Sequence, residues 1–237
     1  MKNLLLTSLI LLLGACQPST DKANASQSEI EKNVVSKTSS VNAKKAGGDF
    51  SLLVDLPYDI IESDQACEKP IVIEFFAYQC PHCYKLQKYA EAWKQKNGDK
   101  VNFKTIPTHL GHQEFNSFLI VHQAAKHLGI LDKATPKMFT RLHEQKKAFA
   151  SQDDVIAFFT SLGVTEDKAR SAIQDGPKIQ ADIDEGFKML AKYKVAGVPT
   201  LLVNYRYQFD VTKAGGYDKV FEVVNETLKL PSNCSTK

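Results

Sequence analysis

Apolar residues occur first as a short continuous run and then at helical spacing, and this order predicts an α/β domain. Residues 70 to 78 are rich in β-branched and aromatic side chains, which is typical of a strand buried on both faces. Directly after this run, Leu86, Ala90 and Trp93 recur at i, i+4 and i+7. That spacing predicts an amphipathic helix over residues 81 to 97.

Turn residues and apolar patterning predict further elements around this strand and helix. They are an edge strand over residues 49 to 57, a strand over 101 to 106 ending at Pro107, helices from 112 to about 194, antiparallel strands over 200 to 204 and 205 to 209, and a closing helix over 217 to 230. The order is therefore βαβ, a helical block, then ββα.

Capping residues subdivide the helical block, and its aromatic residues predict a core. The predicted boundaries are the N-caps Ser151 and Thr165, the glycine stops Gly129 and Gly163, and the first-turn prolines Pro136 and Pro177. The predicted core residues are Phe115, Phe118, Phe139, Phe149, Phe158 and Phe159.

The first 15 residues are typical of an export signal. One cation, Lys2, precedes an apolar run over residues 4 to 13, and roughly ten residues are too few to span a bilayer, which needs about 20. The run ends in small residues before Cys16, which resembles the lipobox of bacterial lipoproteins. We expect cleavage to leave Cys16 as a lipidated membrane anchor, and the following Gln17 favours the outer membrane. An ordinary secretory signal with an incidental cysteine is the alternative.

Residues 16 to 48 predict a flexible tether. They are rich in Ser, Lys, Asn, Thr and Ala, contain no aromatic residue and close on Gly47 and Gly48, so they bury too little apolar surface to order themselves. Residues 49 to 237 suffice for one domain with an insertion. The net charge of +3 comes with scattered lysines, and this excludes a basic stripe for binding nucleic acid.

Cys80, Pro81, His82 and Cys83 follow one another at the predicted turn from strand to helix. A C-x-x-C at this position is typical of a redox-active thiol pair. Pro81 suits the first helical turn, where its missing N–H costs nothing, and Cys80 becomes the N-cap, where the helix macrodipole stabilises a thiolate. We therefore predict a thiol–disulfide oxidoreductase with Cys80 as nucleophile, Cys83 as the resolving thiol and His82 as a further stabiliser of the thiolate.

Three motifs occupy successive predicted elements: Glu74-Phe75-Phe76, Cys80-Pro81-His82-Cys83-Tyr84 and Gly197-Val198-Pro199. Together they resemble the DsbA family of thiol:disulfide interchange proteins, over most of residues 50 to 230. The resemblance implies a thioredoxin fold split by an inserted helical domain. We expect the thioredoxin-fold parts over residues 49 to 110 and 195 to 237, and the insertion over 111 to 194.

The resemblance also implies roles for residues outside the C-x-x-C. The bond between Val198 and Pro199 would be cis, with its loop facing the cysteine pair and holding an extended substrate segment; a trans turn proline is the alternative. Glu74, a carboxylate in an apolar strand, would lie beneath the active site and pair with Lys104 to assist proton movement. A pair at the strand edge without a role is the alternative.

Two cysteines of the predicted domain remain, Cys67 before the central strand and Cys234 after the last helix. In an oxidising compartment two such residues tend to pair, so we expect a structural disulfide that ties the C-terminus to the start of the sheet. Two free thiols are the alternative, because sequence does not show Cα proximity.

Two other patterns have simple explanations. His109 and His112 lie at i, i+3 with His122 and His127 nearby, but no carboxylate or cysteine completes a metal set, so we interpret them as surface and cap histidines. Covalent haem attachment needs C-x-x-C-H, and residue 84 is Tyr.

We therefore predict a monomeric, lipid-anchored periplasmic oxidase that introduces disulfides into unfolded exported proteins with free thiols. It needs no metal and no cofactor beyond the Cys80–Cys83 disulfide, and the resemblance implies reoxidation by a DsbB-like membrane protein. A disulfide isomerase or reductase is the first alternative, although such proteins usually need a dimerisation domain. A lipoprotein that binds metal through the two thiolates is the second.

Overall fold

The computed structural model of the protein describes residues 55 to 234. The predicted signal segment, the tether and Cys16 lie outside the described residues, as does most of the edge strand predicted over 49 to 57. Within the described part, the first strand is Asp59–Ile60, which pairs with the strand at Tyr207–Asp210.

The described strands form one mixed sheet in the order β1-β5-β4-β2-β3. They are β1 (Asp59–Ile60), β2 (Ile71–Phe76), β3 (Asn102–Pro107), β4 (Thr200–Val203) and β5 (Tyr207–Asp210). β2 is parallel to β3 and antiparallel to β4, and all six of its residues are buried. Val72 packs on one face with Leu86 and Val220, and Ile73 on the other with Tyr193.

The helices of the described region fall into three groups. They are α1 (Pro81–Asn97) after β2, then α2 (Asn116–His127), α3 (Leu131–His143), α4 (Gln152–Ser161), α5 (Glu166–Gln174) and α6 (Gly176–Lys192) between β3 and β4, and finally α7 (Val220–Thr227). The five central helices interrupt a β-α-β and β-β-α arrangement. The prediction of a thioredoxin fold with an inserted helical domain is confirmed.

The inserted helices share a core with the end of β2. All six predicted phenylalanines lie in this core or pack against it, together with Phe76, Tyr78 and Cys83. The same apolar cluster thus covers the buried cysteine and holds the insertion against the start of α1.

Most predicted helix boundaries are correct. The hydroxyl of Ser151 accepts from the N–H of Asp154, Gly129 and Gly163 follow their helices with positive φ, and Pro177 stands in the first turn of α6. Thr165 is the N-cap of α5, although its side chain makes no capping hydrogen bond.

The prediction for Pro136 was wrong. α3 begins at Leu131, immediately after the turn at Gly129, so Pro136 lies inside the helix. Its ring nitrogen has no hydrogen to donate to the carbonyl of Asp132, four residues earlier. The closing helix is also shorter than predicted, because α7 begins only at Val220.

Candidate active site

The two free cysteines of the described residues lie where β2 turns into α1, Cys80 just before the helix and Cys83 in its first turn. Cys80 is the N-cap of α1, and its sulfur accepts a hydrogen bond from the N–H of Cys83 at 3.4 Å. Pro81 occupies the first turn, as predicted from its missing N–H. The half-buried Cys80 sulfur therefore faces the unpaired donors and the positive end of a 17-residue helix.

This position stabilises the thiolate of Cys80. A hydrogen bond from the Cys83 thiol is the main cause that lowers the pKa of Cys80 to about 6 from its ordinary value of 9.0. The backbone N–H groups of Cys83 and His82 and the charge of His82 lower the pKa further, against the opposing effect of burial. Cys80 is thus ionised near neutral pH, which is the state that a nucleophile or a leaving group needs.

Cys83 has the opposite character. It is fully buried one helical turn further along α1. Burial raises the pKa of Cys83 far above its ordinary value, and its hydrogen bond to Cys80, the charge of Cys80 and that of Glu74 add to the effect. The pair therefore combines an accessible sulfur that loses its proton easily with a buried one that keeps it.

The loop before β4 forms the second side of the site. The bond between Val198 and Pro199 is cis, as the sequence resemblance implied. The thiol of Cys80 donates to the carbonyl oxygen of Val198 at 3.5 Å. A groove of about 430 Å³ runs along this loop; His82, Val198, Pro199, Phe209 and Tyr217 are among the residues that line it.

His82 has a partner that the sequence did not reveal. Its Nδ1 lies 2.6 Å from the hydroxyl oxygen of Tyr217, which follows the turn at Gly215 and Gly216 before α7. Tyr217 lies in the predicted closing helix, 135 residues from His82, and no local pattern indicates that the two meet. The contact joins the last part of the thioredoxin fold to the active-site helix.

Glu74 is buried, but its expected partner is elsewhere. Desolvation raises the pKa of Glu74 to about 7 from its ordinary value of 4.5, with a smaller opposing effect from Lys94. Lys104 instead approaches Glu185 of α6, with Nζ 3.4 Å from the carboxylate oxygen. The parallel register explains this, because Glu74 stands opposite Thr105, so the neighbouring Lys104 projects to the other face of the sheet.

His122 contradicts the interpretation of the histidines as surface or cap residues. It is fully buried in α2, where Nδ1 lies 2.9 Å from the hydroxyl of Tyr78 and Nε2 lies 3.5 Å from the hydroxyl of Thr105. Burial is the main cause that lowers the pKa of His122 to about 3, so the imidazole is neutral. The sequence carried a signal for this, because His122 lies on the apolar stripe of α2 four residues after Phe118.

The two described cysteines outside the C-x-x-C motif are bonded to each other. A disulfide links Cys67 and Cys234, whose Cα atoms are 4.3 Å apart, across a sequence separation of 167 residues. It ties the segment before β2 to the end of the described chain and belongs to the apolar cluster around Ile73 and Tyr193. The structure thus places Cys67 and Cys234 in a different apolar cluster from Cys83.

Metal binding and membrane crossing are two features on which the described residues, 55 to 234, bear. No three histidine, cysteine, aspartate or glutamate side chains in this range converge on a point where they could hold a metal ion. Among the helices of the same range, none is both long and apolar enough to cross a membrane.

Comparison with known proteins agrees with this geometry. The profile of the DSBA-like thioredoxin domain matches residues 71–223. The thiol:disulfide interchange protein DsbA of Burkholderia cepacia is 32% identical over 155 residues, which cover 64% of this chain and 72% of that protein. The DsbA of Pseudomonas aeruginosa PAO1 is 30% identical over 162 residues, or 67% and 71% of the two proteins.

Solved structures show the same similarity. The crystal structure of Pseudomonas aeruginosa DsbA superposes with a TM-score of 0.62 at 26% sequence identity. The alignment covers 72% of this chain and 88% of that one.

Proposed function

The chain belongs to the DSBA-like thioredoxin family and is a thiol:disulfide oxidoreductase, and we propose that it oxidises dithiols of exported proteins in the periplasm. The observation that carries this proposal is the position of the Cys80 sulfur. It caps α1, has a lowered pKa and lies against the carbonyl of Val198 in the loop that borders the groove.

The proposed reaction begins with the Cys80–Cys83 disulfide. A substrate thiolate attacks the Cys80 sulfur, so that a substrate–Cys80 bond forms and the Cys80–Cys83 bond breaks. Cys83 leaves with the electron pair and takes up a proton, in keeping with its strongly raised pKa. The redox equivalents are carried by the cysteine pair itself.

A second substrate thiolate then attacks the substrate sulfur of the mixed disulfide. The substrate disulfide forms, Cys80 leaves as a thiolate, and two electrons have passed from substrate to enzyme. A leaving group with a pKa of about 6 makes this step favourable. Since stabilisation of the reduced form makes the disulfide a stronger oxidant, the geometry supports an oxidase over a reductase.

The loop at Val198 and Pro199 is the proposed substrate-binding edge. Its backbone lies beside Cys80 and borders the groove, so an extended substrate segment could pair with it while its sulfur reaches Cys80. Glu74 is the proposed proton donor beneath the pair, because its charge acts on Cys83 and, with a pKa of about 7, its carboxyl group can supply the proton that the leaving Cys83 sulfur takes up. Lys104 has no part in this proposal, since it pairs with Glu185.

The membrane anchoring that we propose rests on the first 48 residues. Cys16, in its lipobox-like context, would carry a lipid anchor, and residues 16 to 48 would link that anchor to the domain. We further propose that the protein acts as a monomer and that a DsbB-like membrane protein reoxidises it. Incorporation of radiolabelled palmitate in wild type and its loss in Cys16→Ser would support the anchor, whereas equal labelling of the two would contradict it.

The glutathione equilibrium of the Cys80–Cys83 pair tests the proposed reaction. An oxidase should have a disulfide that glutathione reduces readily, and the oxidised protein should restore activity to reduced, unfolded ribonuclease A without added oxidant. Cys80→Ser should abolish both properties. A disulfide that resists glutathione would favour the reductase alternative. Stoichiometric zinc in the reduced protein, without exchange activity, would favour the metal-binding alternative.

A further inference from the structure

The contact between His82 and Tyr217 has no part in the exchange steps above. His82 is exposed on the first turn of α1, whereas Tyr217 is half-buried at the far end of the chain. Their rings are inclined by only 18°, and 2.6 Å separates Nδ1 from the hydroxyl oxygen. A separation of 2.6 Å is short enough for a direct hydrogen bond between the two side chains.

Tyr217 is held in place by its surroundings and not by His82 alone. The positive-φ turn of Gly215 and Gly216 precedes it, and the ammonium of Lys85 lies 4.3 Å from the centre of its ring. The ring of Tyr89 packs nearby at 6.3 Å between centroids. An exposed imidazole thus meets a phenol whose position the fold determines.

The charge of the site decides which partner donates. The charged form of His82 is the form that lowers the pKa of Cys80, and in that form Nδ1 carries a hydrogen that only an acceptor can receive. The hydroxyl oxygen of Tyr217 is that acceptor. Lys85 lies over the ring face, and the phenol hydroxyl remains in the ring plane beside His82.

We propose that Tyr217 is a positioning residue of the active site, whose hydroxyl accepts a hydrogen bond from cationic His82 and so strengthens the support that His82 gives to the Cys80 thiolate. This inference rests on the proposed function. It predicts that the oxidising strength of the Cys80–Cys83 pair depends on a side chain from the C-terminal part of the fold, outside the C-x-x-C motif.

The test compares wild type with Tyr217→Phe, which removes the hydroxyl and retains the ring. We expect the equilibrium constant with glutathione to shift about threefold towards the protein disulfide, because an exposed charge-assisted hydrogen bond is lost. The pKa of Cys80, measured from thiolate absorbance at 240 nm, should rise in parallel. Circular dichroism establishes that the variant is folded.

Two further comparisons separate positioning from a general structural effect. Tyr89→Phe removes a phenol hydroxyl from the same aromatic cluster and should leave the equilibrium constant unchanged. In a His82→Ala background, Tyr217→Phe should have no additional effect, because the path through His82 is gone.

Each other outcome overturns the inference. Tyr217 does not act through His82 if the glutathione equilibrium constant of folded Tyr217→Phe equals that of wild type or shifts in the opposite direction. The same holds if Tyr217→Phe still changes this constant in the His82→Ala background. In each of these cases the proposed function still stands. If the wild-type pair does not exchange with glutathione at all, the proposed function fails and the inference fails with it.

Discussion

The hydroxyl of Tyr78 and Nδ1 of His122 lie 2.9 Å apart in the interior of the protein, where both side chains are fully buried. Tyr78 is two residues before Cys80, and His122 belongs to the inserted helical domain. The pair therefore joins the turn before the active-site helix to the insertion through a polar contact. Burial lowers the pKa of His122 and raises that of Tyr78, so the contact is between two neutral groups.

The first prediction concerns acid stability. Because the pKa of His122 is about 3 in the folded protein and 6.5 ordinarily, the stability that it contributes is present above pH 6.5 and is lost as the pH falls towards 3. In both wild type and His122→Gln, the free energy of unfolding should fall as the pH is lowered across this window. The slope in His122→Gln should be smaller than in wild type by about 1.4 kcal/mol per pH unit. Urea denaturation at several pH values measures the slope. His112→Gln, at an exposed histidine, should retain the wild-type slope, and a retained slope in His122→Gln would contradict the prediction.

Glu74 gives a second prediction, in which the stability of the fold decreases as the pH rises. Its pKa is raised from 4.5 to about 7 by burial, so its contribution is present below pH 4.5 and is lost as the pH rises through 7. Glu74→Gln should therefore be more stable than wild type at pH 8, by about 2–3 kcal/mol, and show a much smaller gain at pH 4.5. Thermal melts of the oxidised proteins at both pH values decide this. Glu62→Gln, at an exposed carboxylate, is the control; a gain for Glu74→Gln that is equal at both pH values would show that Glu74 is not the titrating group.

Features determined by neighbouring residues could be predicted from the sequence. Cys80 as N-cap follows from a buried strand, a proline in the first turn and an apolar stripe beyond it, all within about 25 residues. Ser151 and Gly163 likewise act through hydrogen bonds and φ angles of their own turns. The fold class followed because these local elements occur in the order of a split thioredoxin fold.

Features that depend on register or on distant contacts could not be predicted. Whether Lys104 or Thr105 stands opposite Glu74 is set by a single-residue choice of strand register, and that choice reverses which face Lys104 occupies. The start of α3 could not be predicted either. The apolar pattern does not show that the helix begins five residues before Pro136. Tyr217 lies 135 residues from His82 and beyond β4 and β5 in the chain, so no spacing in the sequence relates the two.

The third prediction concerns the donor that lowers the pKa of Cys80. The Cys83 thiol is the main cause of the shift, so Cys83→Ala should raise the pKa of Cys80 well above 6, whereas Cys83→Ser keeps a hydroxyl donor and should retain a larger part of the shift. Thiolate absorbance at 240 nm, or the pH dependence of alkylation by iodoacetamide, measures the pKa in both variants. Equal values for the alanine and serine variants would mean that the helix N-terminus and His82, and not the Cys83 thiol, dominate.

The last prediction separates the stability of the fold from the chemistry of the site. The Cys67–Cys234 disulfide closes a sequence separation of 167 residues, and removal of such a link lowers stability chiefly by freeing the unfolded chain. Cys67→Ser with Cys234→Ser should reduce the free energy of unfolding by about 2–4 kcal/mol in urea. The glutathione equilibrium of Cys80–Cys83 should stay at its wild-type value, because the two cysteine pairs belong to different apolar clusters. Wild-type protein with both disulfides reduced is the control. It should lose similar stability once the effect of reducing Cys80–Cys83, which is measured separately in the double variant, has been subtracted. A changed glutathione equilibrium in the folded double variant would show that the structural disulfide also acts on the active site.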